Sequence, residues 1–145
     1  MPHAQLLQER FRSDPWKLLV ACVLLNQTAR RQVDRVIDEL FRLWPSAHAM
    51  AAADEVELSE LLRPLGLYKR RASILIRLSR RWVDWRLDHD VPDGSDVMEL
   101  PGVGKYASDS YRLFVLRDDS IEPEDKELRA YMERRMSATY RDSLM

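Results

Sequence analysis

Cysteine occurs once in the 145 residues, at Cys22. No disulfide can close within the chain, and neither a four-cysteine iron–sulfur site nor a cysteine-built zinc site is possible. Cys22 lies in an apolar run and is expected to be a small core residue. Glycine is also scarce, with four in all. The longest apolar run, Leu18 to Leu25, falls far below the roughly 18 residues a membrane span needs. No basic segment leads into a long apolar one near the start, so no signal peptide is expected. No membrane partner is expected either. Net charge is −1, which argues neither for nor against nucleic acid.

Hydrophobic residues make up 46% of the chain and charged residues 32%, which predicts a globular protein of one domain, residues 1–145, ending in a polar tail of about eight residues. Charge is unevenly spread. Lys69, Arg70, Arg71, Arg77, Arg80 and Arg81 crowd one stretch, and Asp118, Asp119, Glu122, Glu124 and Asp125 another. A neutral average can hide a basic face.

Helix signals recur along the chain and strand signals do not, so the fold is expected to be all-α. Asp14-Pro15 is an N-cap with proline at the first helical position, ahead of a helix to about Asn26 that is apolar almost all round. From about Ala29 to Trp44, Val33, Val36, Ile37, Leu40, Phe41 and Trp44 share a stripe. Asp54 and Glu57 have capping-box spacing. Pro64-Leu65-Gly66-Leu67 breaks the chain before a long helix, about Tyr68 to Trp85. A polar turn and a short helix lead to the stretch "ELPGVGKYASDSY", residues 99–111, and Glu122-Pro123-Glu124 opens the last helix.

That stretch holds half of the glycines, between two helical segments. Helix, tight turn and helix make a helix-hairpin-helix. Gly102 and Gly104 permit unusual backbone conformations and close approach. The free N–H groups of the turn and of the following first turn form an anion site with the helix dipole behind it. Val103 is expected to pack inward and Lys105 to add charge. A bare Gly-x-Gly is also an ordinary tight turn, but Leu-Pro-Gly-Val-Gly ahead of an amphipathic helix is more specific, and a DNA phosphate is its expected ligand.

Four stretches, "DPWKLLVACVLLNQT" (14–28), "LSELLRPLGLYKRRA" (58–72), "ELPGVGKYASDSYRLF" (99–114) and "PEDKELRAY" (123–131), resemble the helix-hairpin-helix DNA glycosylases. The likeness is to the superfamily of endonuclease III and the adenine mismatch glycosylases, and most of all to the thymine/uracil mismatch glycosylase domain found behind methyl-CpG-binding domains. It covers roughly residues 7–135. It implies two helical lobes with double-stranded DNA across the cleft, a monomer located in the cytoplasm at the nucleoid or in a nucleus, and no iron–sulfur cluster. No cofactor is implied, beyond a monovalent cation at the hairpin.

The resemblance also implies chemistry. Breaking an N-glycosidic bond leaves positive charge on the sugar, which a carboxylate near C1′ stabilises. Asp125 fills that position. Bifunctional members carry a lysine two places after the last hairpin glycine, where this chain has Tyr106. Lys105 is one residue early, about 100° round the helix, and should face away. A monofunctional enzyme follows, with Tyr106 bordering the flipped base. Gln8, Leu7 and Leu25 are implied as the base pocket. Gln27 is implied as the plug of the vacated stack, and Leu65, Gly66 and Leu67 as the wedge. Relatives of the mismatch-glycosylase type have arginine at Gln27, which leaves the opposite-base preference open. Lys69 and Arg71, with Arg70, are implied to hold phosphates of the other strand. The implied substrate is uracil or thymine, opposite guanine, or a related modified pyrimidine. A mispaired adenine and a non-catalytic DNA-binding module are the alternatives.

Overall fold

The computed structural model describes residues 5–144. Among them there is no strand. The α-helices are α1 (Leu7–Arg10), α2 (Pro15–Leu25), α3 (Arg30–Leu43), α4 (Ala47–Ala51), α5 (Glu55–Leu62), α6 (Tyr68–Asp88), α7 (Lys105–Phe114) and α8 (Lys126–Ser143). Short 3-10 turns cover Arg63–Leu65 and Asp96–Glu99.

Helix α2 is the centre. Asp14 caps it by accepting from the Lys17 amide at 3.1 Å, and Pro15 at the first position gives up no intrahelical bond. Every residue from Leu18 to Leu24 is buried. Around it pack α1, α3, α6 and α7. Trp16 meets Phe41 edge-on at 5.6 Å, and Phe41 meets Phe11 at 5.2 Å. Such pairs add about 1 kcal/mol each beyond the area they bury. The Trp16 indole N–H donates to Ser79 Oγ at 2.9 Å, and Ser79 donates to Leu75 O at 2.7 Å, so the polar atoms crossing from α2 to α6 are satisfied. Helix α6 backs α4 and α5 to make one lobe, and α7 and α8 with α1 make the other.

Two boundaries differ from expectation. The short helix before the hairpin is a 3-10 turn, held by Asp93 Oδ1 accepting from the Ser95 and Asp96 amides. It stops at Leu100, which Pro101 forces into extended conformation (φ −75°, ψ 143°). The expected polar tail is helical instead, since α8 runs to Ser143. No glycine or proline interrupts residues 126–143, so nothing breaks the helix even where its side chains are exposed.

Candidate active site

A cavity of about 340 Å³ opens where α1, the end of α2 and the turn after it meet the starts of α7 and α8. Leu7 and Gln8 enter from α1, Leu25 from the end of α2, Tyr106 from the first turn of α7, and Asp125 and Glu127 from the start of α8. The five residues expected at a base pocket and catalytic centre thus share one wall system, although they come from four parts of the chain.

Asp125 is the N-cap of α8. Its Oδ2 accepts from the Leu128 amide at 2.9 Å, which fixes the carboxylate at the rim of the cavity. The group expected as the carboxylate beside the sugar is thus also the cap of α8, through Oδ2. Glu124, one residue earlier, is exposed and does not line the cavity.

Tyr106 and Gln8 are joined. Gln8 is buried, and its Nε2 donates to Tyr106 Oη at 2.6 Å and to Ser110 Oγ at 3.2 Å. Its Oε1 has no hydrogen bond among the described residues. Burial, with the nearby Cys22 and Asp125, pushes the Tyr106 phenol above its ordinary pKa, so it stays protonated at neutral pH. Cys22 is buried on α2 and does not line the cavity. Burial pushes its thiol up to about 12, against an opposing pull from Ser110.

The hairpin at residues 100–104 stands beside the cavity. The Val103 amide donates to Leu100 O at 3.2 Å, and Val103 is buried as expected. The glycines do different jobs. Gly102 has φ +79°, and a Cβ there would sit 2.4 Å from Ile74 Cγ2 and 3.2 Å from Val23 Cγ2, so it seats the turn against α6 and α2. Gly104 has φ −101° and open space where a Cβ would go. Its lack of a side chain serves nothing inside the protein. No side chain caps α7, so its first-turn amides face outward without an intrahelical partner. Gly102→Ala should therefore cost about 2 kcal/mol or more, roughly 5 °C in Tm, from the left-handed backbone and the clash. Gly104→Val should melt with the wild type. Thermal unfolding followed by circular dichroism checks both.

Lys105 turns from the cavity. Its Nζ donates to Asp109 Oδ2 at 2.8 Å and to Glu122 O at 2.9 Å, which ties the hairpin to the segment leading into Asp125 and neutralises much of its charge.

The two loops expected to fill the DNA stack lie near the hairpin. Gln27 is exposed at the tip of one, with φ +63°. In the other, Leu67 is 60% exposed with φ +48°, and Gly66 has φ +75° and ψ 167°, a region almost closed to other residues. Leu65 departs from the expected wedge. It is buried and belongs to the core. Arg71 departs from the expected phosphate contact. It is buried, and its guanidinium donates to protein acceptors on both loops. Lys69 and Arg70 are exposed, as expected of phosphate contacts.

Asn26, Thr28 and Arg30 also line the cavity, and sequence reasoning gave them no place in the pocket. Arg30 starts α3 and donates to Gln5 O. Its position straight after the Asn26-Gln27-Thr28 turn was the available signal.

The profile of the HhH-GPD superfamily of base excision DNA repair proteins matches residues 20–142. A methyl-CpG-binding domain protein 4-like protein of Arabidopsis thaliana is 39% identical over 127 residues, covering 87% of this chain and 27% of that protein. A thymine-DNA glycosylase of Aeropyrum pernix is 42% identical over 105 residues, covering 72% of this chain and 47% of that one. The chain thus spans less than half the length of these relatives. The structure of a thermostable thymine-DNA glycosylase superposes with a TM-score of 0.72 at 22% identity, over 79% of this chain and 52% of the other, which is a likeness of fold.

Proposed function

Because the chain belongs to the HhH-GPD superfamily of base excision DNA repair proteins, we propose that it is a monofunctional DNA glycosylase that extrudes uracil or thymine mispaired with guanine and hydrolyses its N-glycosidic bond. One observation carries the reading. Asp125, Tyr106 and Gln8 meet on a single cavity beside an uncapped hairpin, with Gln8 and Tyr106 hydrogen-bonded across 98 positions of sequence.

The hairpin amides and the exposed Lys69 and Arg70 hold the backbone, and the base enters the cavity. The C1′–N bond then breaks, and its electron pair leaves on the base. The Asp125 carboxylate faces the charge that develops on the sugar. A water oxygen bonds to C1′, its proton goes to the departed base anion, and an abasic site and the free base result. Tyr106 has no amine with which to form a Schiff base, and the Lys105 ammonium is engaged by Asp109 and Glu122 O.

Gln8 supports a pyrimidine with an imide edge. Its amide N–H groups are taken by Tyr106 and Ser110, so the atom it offers the base is the acceptor Oε1. Uracil and thymine present a donor at N3, where cytosine has none. Gln8→Leu should slow excision of uracil by about 10-fold or more, the worth of one or two hydrogen bonds in a closed site, with duplex affinity unchanged. Single-turnover rates beside a binding titration check this.

The function itself is tested with duplex oligonucleotides bearing U·G, T·G, modified cytosine·G or A·8-oxoguanine. U·G or T·G strands should break only after hot alkali, and borohydride should trap no protein–DNA adduct. A trapped adduct lost in Lys105→Ala would sink the monofunctional reading. Tight binding with no excision of any base would leave a DNA-binding module. Gly104→Val, expected to melt with the wild type, should weaken duplex binding by blocking approach of a phosphate.

A further inference from the structure

Arg71 is a costly residue where it stands. It lies in the first turns of α6, where the helix dipole disfavours a cation, and it is only 5% exposed. No carboxylate pairs with it among the described residues. Buried unpaired charge does not stabilise a fold by itself. Its donors go elsewhere. Nη1 donates to Leu65 O at 2.9 Å, while Nη2 donates to Asn26 O at 2.9 Å and to Thr28 Oγ1. These acceptors belong to the two loops that carry the exposed tips Gln27 and Leu67. Each tip has a non-glycine residue at positive φ, a conformation that must be held from outside. Between the loops runs a cleft of about 210 Å³ whose lining includes Gln27, Leu67, Arg70 and Gly102. A planar guanidinium with donors fixed in direction suits acceptors on two separate segments, and a lysine ammonium does not reproduce that fork.

We propose that Arg71 is a positioning residue that locks the 26–28 and 65–67 loops into one rigid unit, so that Gln27 and Leu67 enter the DNA stack together and extrude the target nucleotide. This rests on the glycosylase reading. Arg71 touches neither base nor sugar, and its effect is confined to extrusion.

The test compares wild type with Arg71→Lys and Arg71→Met on two DNAs. In one, uracil faces guanine in a continuous duplex. In the other, the same uracil sits in an unpaired bubble, where extrusion costs little. A 2-aminopurine beside the target reports unstacking. For Arg71→Lys, the single-turnover rate on the duplex should fall about 10-fold or more with a reduced 2-aminopurine signal. The rate on the bubble should stay within about two-fold. Arg71→Met should follow the same pattern more strongly, and thermal melting identifies any loss through unfolding. Equal losses on both DNAs, or no loss on the duplex, would overturn the proposal. A wild-type protein that excises from neither DNA overturns the glycosylase reading, and the role of Arg71 falls with it.

Discussion

Asp125→Asn should lower the single-turnover rate of excision by about 100-fold or more and leave duplex affinity within a few-fold. That rate loss corresponds to about 3 kcal/mol at the barrier. The substitution removes the charge and keeps an oxygen able to accept from the Leu128 amide, so the cap of α8 survives and the fold with it. A carboxylate that meets positive charge only as the bond breaks stabilises the transition state and not the bound ground state. Affinity should therefore hold, or rise slightly through lost repulsion of phosphate. Glu124→Gln is the matched control. It removes the same charge one residue away, from an exposed side chain outside the cavity, and should change little. Retained excision in Asp125→Asn together with loss in Glu124→Gln would show that the assignment is wrong by one position. Normal excision in both would remove the carboxylate from the mechanism.

Duplex affinity should fall about 100-fold between 50 and 200 mM salt, as expected for a protein neutralising roughly four phosphates. Lys69 and Arg70 are exposed, whereas Arg71 is buried and Lys105 is held by Asp109. The distinction can be measured. Replacing Lys69 and Arg70 together by alanine should lower the slope of log affinity against log salt by about 2. Arg71→Met, which removes the charge, should leave that slope unchanged, since the buried guanidinium meets no phosphate. A salt-insensitive affinity would contradict phosphate binding at the hairpin altogether.

The contrast between Arg70 and Arg71 shows where the sequence was legible and where it was not. Arginines on a long helix are ordinarily its solvated face, and Arg70, Arg77, Arg80 and Arg81 are exposed. Arg71 shares a stripe with Leu75, Leu78 and Trp82, all buried, and the expectation of a phosphate contact passed over that spacing. Its acceptors were not readable, because they are backbone oxygens of loops distant in sequence. The hairpin was legible because proline and glycine report backbone conformation directly. The left-handed turns at Gln27 and Leu67 were not, because neither residue type signals them. Asp125 was placed by resemblance alone, since an acidic residue ahead of a helix is common as a cap. The fold adds that this cap stands on the wall of a cavity whose other walls come from α1, α2 and α7.

The lone thiol on α2 gives the molecule a built-in clock. Cys22 is enclosed in the core, and burial holds its sulfur as the unreactive thiol. A thiol reagent can then label the protein only during excursions in which the domain opens, and the labelling rate counts those openings. With one thiol in the chain, each molecule gives a single signal free of competing cysteines. A variant that loses activity at unchanged labelling rate has lost chemistry or DNA handling. One that labels faster has loosened the helical core, whatever its activity on DNA.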